Sequence, residues 1–282
     1  MRRYIEFTKI VAAGNDFVLI DNRPLKLSSR CLISLARRMC DRQFGAGADG
    51  LLVLERSDKA DFKMRIVNSD GSEAEMCGNG SRCFALYCRL LKHKAVADLK
   101  VQTVAGIIHA HVGRGAVRVN LTPPKDMRLD IPVRVRGRTL RVNYINTGVP
   151  HAVIFVNGLS SMEIVDLGRQ IRYHESFAPR GTNVDFVEVL GPKDISIRTY
   201  ERGVEDETLA CGTGSVASAL ITGYKLGQIL TGAPKDPAQR VFNVMTRSGE
   251  TLKIYFTLKG NRFCDVWLEG KAAIVYKGVW YV

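Results

Sequence analysis

Two cysteines in this sequence stand in the same short word. Cys77-Gly78-Asn79-Gly80 follows Glu73 and Glu75, and Cys211-Gly212-Thr213-Gly214 follows Glu205, Asp206 and Glu207. Each word precedes a run of small and apolar residues, Ser81–Tyr87 and Ser215–Ile221, that reads as a helix. Each cysteine therefore stands at a helix threshold, in a turn whose glycines let the backbone come close to a ligand. A helix N-terminus offers N–H groups and the positive end of the dipole. Both favour a thiolate and attract a carboxylate. Two such thiols on opposite sides of one carbon have the chemistry to invert it. One, as thiolate, removes the α-proton, and the other, as thiol, returns a proton to the opposite face. The carbanion between these steps needs stabilisation, and N–H donors aimed at the carboxylate supply it. Nothing in these residues calls for pyridoxal phosphate or another cofactor.

The other five cysteines, Cys31, Cys40, Cys83, Cys88 and Cys264, read as small buried hydrophobes. The sequence has no C-x-x-C pair, and the spacing of Cys77, Cys83 and Cys88 does not suit a metal, so no metal site is expected. Seven cysteines form no disulfide framework in a chain of 282 residues. Reduced thiols and a cytoplasmic location are expected, with no membrane span and no signal peptide. The net charge of +13 raises the question of nucleic acid. Its densest cluster, Arg134, Arg136, Arg138 and Arg141, alternates with Val133 and Val135 and lacks interleaved aromatics. That pattern describes a solvated strand face, so no nucleic-acid partner is expected.

The elements that must position the cysteines follow in order. Tyr4–Ile10 alternates as a strand; Val11–Asp16 reads as a turn, and Phe17–Ile20 as a buried strand. Ser28 or Ser29 can cap a helix with Leu32, Leu35, Ala36, Met39 and Cys40 on its apolar face. A glycine-rich loop, Phe44–Gly50, leads to strands at 51–54 and 62–67, then the first cysteine word and its helix to about Leu91. Three strands follow, and Thr122-Pro123-Pro124 marks a junction. The second half repeats this logic. Strands lie near 131–135 and 139–143, Asn146–His151 reads as a turn, and Ala152–Val156 as an apolar strand. Gly181-Thr182-Asn183-Val184-Asp185-Phe186 echoes Gly14-Asn15-Asp16-Phe17, and Ile195–Tyr200 precedes the second word. The expected class is α/β, α+β-like: two related halves, each wrapping a mainly antiparallel or mixed sheet around a central apolar helix.

At these residues the chain resembles the diaminopimelate epimerase family. The resemblance rests on Gly14-Asn15-Asp16-Phe17, Phe44–Gly50, Asn68-Ser69-Asp70-Gly71 through Cys77-Gly78-Asn79-Gly80, Gly148-Val149-Pro150-His151, Thr182-Asn183-Val184-Asp185-Phe186, and Tyr200-Glu201-Arg202-Gly203 through Cys211-Gly212-Thr213-Gly214. These stretches run in the family's order over nearly the whole chain. The resemblance implies a cofactor-independent enzyme of lysine and peptidoglycan precursor synthesis that interconverts L,L- and meso-2,6-diaminopimelate. It implies two pseudo-symmetric domains with the active site in the cleft between them. Here these would be residues 1–121 with 270–282, and 122–269. Cys77 and Cys211 match the acid/base pair; Gly78, Asn79, Gly212 and Thr213 match the carboxylate cradle. Asn15, Asn68, Asn183, Glu201 and Arg202 match residues that hold the substrate, and His151 and Glu201 match residues that tune the thiols. Tyr276 matches a tyrosine of the family's dimer interface, which implies a homodimer. Gly50 and Val149 depart from members that carry Gln and Asn there; Asn146, Thr147 or water would take over part of their polar duty.

Two alternatives share parts of this pattern. A two-thiol racemase acting on glutamate or proline uses the same chemistry but has no distal zwitterion to grip, which Arg202, Asn68 and Asn183 argue for. A non-catalytic basic binding protein would survive loss of both cysteines and bind less tightly as salt rises.

Overall fold

Alternating apolar residues set the first strands, β1 (Tyr4–Ala12) and β2 (Asn15–Asp21), and the turn between them is only Ala13-Gly14. Gly14 has a φ of 81°, a conformation that glycine adopts at little cost. The short helix α1 (Asn22–Leu25) and the helix α2 (Ser29–Met39) follow, and Ser28 caps α2 by accepting from the Cys31 N–H. Then come β3 (Gly50–Glu55), β4 (Phe62–Asn68), β5 (Glu73–Ala74), α3 (Gly78–Leu91), β6 (Ala97–Thr103), β7 (Gly106–Val112) and β8 (Val117–Asn120). The second series is β9 (Lys125–Val135), β10 (Arg138–Asn146), β11 (Pro150–Phe155), α4 (Val165–Arg172), β12 (Asn183–Val189), β13 (Asp194–Glu201), β14 (Asp206–Thr208), α5 (Gly212–Thr231), β15 (Gln239–Met245), β16 (Thr251–Lys259) and β17 (Arg262–Gly270). The last strand is β18 (Ala273–Tyr281). The computed structural model describes residues 4–231 and 239–282. It divides into two units, Met1–Asn120 with Glu269–Val282, and Leu121–Leu268.

In the first unit the strands pair in the order β18-β1-β2-β3-β4-β6-β7-β8, with β5 also against β4. In the second the order is β9-β10-β11-β12-β13-β15-β16, with β14 against β13. From β1 and from β10 the pairings run alike: antiparallel, parallel, antiparallel, parallel, antiparallel. The duplication is therefore one of topology, down to the crossover helices α2 and α4 that join the first parallel pair in each unit.

This pairing corrects one expectation. β11 takes the place of β2, and Gly148, with a φ of 110°, opens it as Gly14 opens β2. β12 takes the place of β3, so Asn183–Phe186 corresponds to the strand that begins at Gly50, not to Asn15–Phe17. The two similar words meet the same local demand, a polar turn running into a buried strand, at different points of the fold. His151 also lies inside β11 and is fully buried, rather than in a turn.

Each sheet has two packed faces. On one, α2 packs Leu32, Leu35, Ala36 and Met39 against Ile5, Val18, Leu51 and Val53, while α4 belongs to a cluster with Ile171, Val142, Ile154 and Phe186. On the other, the sheet curls round a central helix. α3 touches β1, β2, β3, β4, β6, β7 and β8, and α5 touches β10, β11, β12, β13, β15 and β16. Every residue from Cys211 to Tyr224 is buried. A helix apolar all round belongs inside a protein, and each fully buried Leu or Ile here contributes roughly 1.5–3 kcal/mol.

Arg134, Arg136, Arg138 and Arg141 are exposed on β9, β10 and their turn, while Val133 and Val135 are buried, as the alternation requires. Cys40, Cys83 and Cys88 are buried, but Cys31 is exposed and Cys264 half-buried, against expectation. Cys31 sits in the first turn of α2, where the helix turns its polar face outward. Among the described residues, no helix is long and apolar enough to cross a membrane.

Candidate active site

Cys77 is the N-cap of α3, with extended backbone (φ −144°, ψ 118°). Its carbonyl accepts from the Ser81 N–H at 2.8 Å, and its sulfur accepts from the Gly80 N–H at 3.3 Å. Cys211 repeats both contacts: its carbonyl accepts from Ser215 N–H at 2.9 Å and its sulfur from Gly214 N–H at 3.4 Å. A sulfur thus takes the capping place that Ser or Asp usually fills. The first-turn N–H groups at residues 78–79 and 212–213 point out along the axis beside it, as helix geometry dictates. The glycine three residues past each cysteine leaves room for a neighbouring strand: a Cβ there would meet Leu52 in one unit and Asp185 in the other.

The surroundings of the two thiols differ. Cys77 is half-buried and donates to Asn15 Oδ1 at 3.7 Å. Asn15 Oδ1 also accepts from Asn79 Nδ2 at 3.4 Å, and the Asn15 amide donates to Asp49. Arg82, fully buried one turn into α3, donates to Asn79 Oδ1 at 2.8 Å. Asn15, Asn79 and Cys77 therefore form one cluster, held from below by an arginine that sequence reasoning missed.

Cys211 lies deeper, with 7% of its surface exposed. Its sulfur is 3.4 Å from Thr213 Oγ1, which is 3.0 Å from Nε2 of His151. Nδ1 of His151 lies 2.7 Å from Oδ2 of Asp185, and Oδ1 of Asp185 accepts from the Thr199 hydroxyl at 2.7 Å. The Thr147 hydroxyl, a candidate to replace lost substrate contacts, donates instead to the Thr213 carbonyl at 3.0 Å. Asn146 Oδ1 accepts from Gly148 N–H at 3.0 Å.

The expectation that the helix end ionises both thiols is corrected for Cys211. Burial pushes this thiol well up, and the negative charges of Glu201 and Asp185 add to it. The Thr213 and Gly214 contacts pull the other way without offsetting it. Desolvation of a thiolate outweighs one turn of helix dipole. Glu201 thus acts on Cys211 by charge, while His151 reaches it through Thr213.

Asn183 is buried and spends both ends of its amide on the backbone: Nδ2 donates to the Pro150 carbonyl at 3.0 Å, and Oδ1 accepts from Arg202 N–H at 2.8 Å. It fixes the backbone that carries Arg202. Burial, then the charges of Arg172 and Arg180, lowers the pKa of the Arg202 guanidinium. Clustered cations of this kind favour an anion. Asn68 donates to Ser72 Oγ at 2.9 Å. Tyr276 is exposed on β18, with its hydroxyl 3.3 Å from the Ala46 carbonyl and its ring edge-on to Phe7. Among the described residues, no group of three or more His, Cys, Asp or Glu side chains is placed to hold a metal.

Asp185 and Thr199 went unread in the sequence. A signal was present: Asp185 is a charged residue among the first five of β12, residues 183–187, all of which are buried. A buried carboxylate is costly unless it is paired and hydrogen-bonded, so partners such as His151 and Thr199 are to be expected.

Two units, each a sheet curled round a helix capped by a cysteine, define a fold shared with known proteins. A solved Bacillus anthracis phenazine biosynthesis protein of the PhzF family matches with a TM-score of 0.74, at 16% identity and 99% of both chains. A hydroxyproline epimerase from Agrobacterium vitis, solved with bound trans-4-hydroxy-L-proline, matches with a TM-score of 0.73, at 16% identity over 99% of this chain and 92% of that one. The family model described as diaminopimelate epimerase matches residues 7–126 and 143–263. The diaminopimelate epimerase of Archaeoglobus fulgidus is 44% identical over 98% of this chain and 96% of its own length. That of Aquifex aeolicus is 42% identical, covering 97% of each. The chain belongs to the diaminopimelate epimerase family.

Proposed function

We propose that the protein interconverts L,L-2,6-diaminopimelate and meso-2,6-diaminopimelate, without a cofactor, by proton transfer between Cys77 and Cys211. The observation that carries this reading is the repeated cap: two sulfurs, each accepting the N–H of the glycine three residues on, each beside the first-turn N–H groups of a helix. The N–H groups of 78–79 and 212–213 receive the α-carboxylate and hold the charge that spreads into it when the α-proton leaves. One cysteine removes that proton as thiolate. The other protonates the opposite face as thiol, and the roles exchange in the reverse direction.

The distal end of the substrate carries an ammonium and a carboxylate. Arg202, supported by Asn183 and set among Arg172 and Arg180, pairs with the carboxylate. Asn15, Asn68 and Glu201 supply the remaining polar contacts. This grip favours diaminopimelate over glutamate or proline.

The enzyme works in the cytoplasm, in lysine and peptidoglycan precursor synthesis, as a homodimer. Support for the dimer lies in β18, paired only with β1 among the described strands of its unit, with Val275, Tyr276, Val279 and Tyr281 exposed. A long apolar edge is a template for association.

The test is incubation with L,L-diaminopimelate in deuterium oxide with a chelator present. Meso product with deuterium at the inverted α-carbon supports the reading. Turnover of glutamate or proline but not diaminopimelate would replace the substrate, and loss of activity in the chelator would replace the mechanism.

A further inference from the structure

Asp185, His151, Thr199 and Thr213 form a polar chain inside a part of the fold that does not require one. The first unit shows this. Strand register places Leu52 opposite Ile66 in β3 and β4, as it places Asp185 opposite Thr199 in β12 and β13. Phe17, two residues into β2, holds the place of His151 in β11. A Cβ on Gly80 would meet Leu52 and Phe17; a Cβ on Gly214 would meet Asp185. One unit therefore backs its cysteine turn with Leu, Phe and Ile, and the other with Asp, His and Thr, all deeply buried. Satisfied buried polar networks are worth no more to folding than well-packed apolar groups, so the difference points to chemistry at Cys211.

The hydrogen-bond directions follow from the donor inventory. An ionised carboxylate only accepts, so Nδ1 of His151 carries a hydrogen toward Asp185. In the neutral ring Nε2 then accepts, and Thr213 must donate to it. That turns a lone pair of Thr213 Oγ1 toward Cys211, whose S–H donates to it. The reverse polarity is also complete: with Nε2 protonated, it donates to Thr213, and Thr213 donates to a Cys211 thiolate.

We propose that Asp185 is a positioning residue of the reaction: with Thr199 it fixes His151 so that Thr213 and His151 take up the proton of Cys211 when that cysteine serves as base. In this step the Cys211 S–H bond breaks and its proton goes to Thr213 Oγ1. The hydrogen already on that oxygen passes to Nε2 of His151. One N–H bond forms, and the imidazolium lies against the Asp185 carboxylate, so total charge is unchanged. The inference rests on the two-cysteine reading of the function; the first two readouts of its test, alkylation and the ring spectrum, do not. The charged or titratable groups facing the chain are Asp185 from β12, Glu201 from β13, and Cys211 at the head of α5.

The test uses Asp185→Asn, which keeps the side chain's size. Its first readout is the rate of iodoacetamide alkylation of Cys211 at pH 8, followed by peptide mapping. If Asp185 acted on Cys211 by charge alone, its removal would speed alkylation. The relay predicts the opposite sign, a slowing of about tenfold, the effect of about one pKa unit. The second readout is the ring ¹⁵N spectrum of histidine-labelled wild-type protein, assigned with His151→Asn. It should show His151 protonated at Nδ1 and bare at Nε2. In Asp185→Asn, kcat should fall at least about tenfold with KM nearly unchanged, and the double variant with His151→Asn should be no slower than His151→Asn alone. Faster alkylation in Asp185→Asn, or a wild-type ring protonated at Nε2 only, overturns the proposal. The wild-type spectrum decides even if the variant does not fold. If alkylation and tautomer behave as expected while diaminopimelate is not epimerised, the relay stands and the functional reading fails.

Discussion

Leu52 and Asp185 hold the same place in the two units: each is the side chain nearest to where a Cβ would lie on the glycine three residues past the cysteine, Gly80 in one and Gly214 in the other. The halves repeat their backbone and not their chemistry. Cys77 sits in a half-buried cluster of amides, whereas Cys211 sits in a buried pocket with a carboxylate and an imidazole behind it. Under the proposed mechanism, a reaction whose two faces are mirror images at carbon uses two thiols with unlike surroundings.

Replacement of either Cys77 or Cys211 by Ala is expected to reduce epimerisation by more than about a hundredfold, since each direction needs a base and an acid. Product formation by chiral chromatography checks this. Wild-type turnover in either single variant would end the two-base mechanism.

Gly214→Ala and Gly80→Ala should behave differently. A methyl on Gly214 runs into the Asp185 carboxylate, which is tied on both oxygens and cannot withdraw. A loss of roughly 1–3 kcal/mol, typical of overpacking, is expected in denaturant unfolding. A methyl on Gly80 meets the end of the Leu52 side chain at 3.3 Å, which moves aside. Its cost should stay under about 1 kcal/mol, partly offset by the helix preference of Ala over Gly.

Arg202→Ala should weaken substrate binding while leaving thermal stability nearly unchanged, because the guanidinium is only half-buried and its backbone is held by Asn183. KM for diaminopimelate and the melting temperature, measured together, test this. Equal turnover of a shorter amino acid by wild type and variant would remove Arg202 from the distal grip.

Asp16 should set part of the acid stability. Burial would raise its carboxyl, but hydrogen bonds and charge from Arg42 and Lys9 overcome this and hold it below the ordinary 3.8. A carboxyl lowered by folding gives stability that is present above its unfolded pKa of about 4 and lost as pH falls through the folded value. Asp16→Asn should lower the melting temperature at pH 7 and flatten its fall between pH 5 and 3.

Mild oxidation of the substrate-free enzyme should inactivate it by joining Cys77 to Cys211, if both thiols serve one carbon. Substrate should protect and reductant should restore activity. Because burial raises the Cys211 thiol, the reaction should be slow at pH 7 and quicken toward pH 9, as thiolate attack requires. Peptide mapping that finds other cysteines cross-linked and never this pair would count against the two-cysteine mechanism.

Local rules carried most of what the sequence revealed. Ser28 as a cap, the strand alternation at Val133 and Val135, the helices behind both cysteines and the glycine turns are decided within a few residues, and each is legible as spacing or residue type. The two cysteine words were legible because the same capping geometry is written twice. Tertiary structure decided what lies behind them. Only strand register puts Asp185 beside His151, 34 residues away, and Thr199 on its other oxygen. Only the pairing order assigns Asn183 to the place of Gly50 rather than Asn15. Burial set the Cys211 thiol above its ordinary range, against the helix dipole that the sequence alone suggested. Desolvation depends on everything packed around a group, and no single stretch of chain contains it.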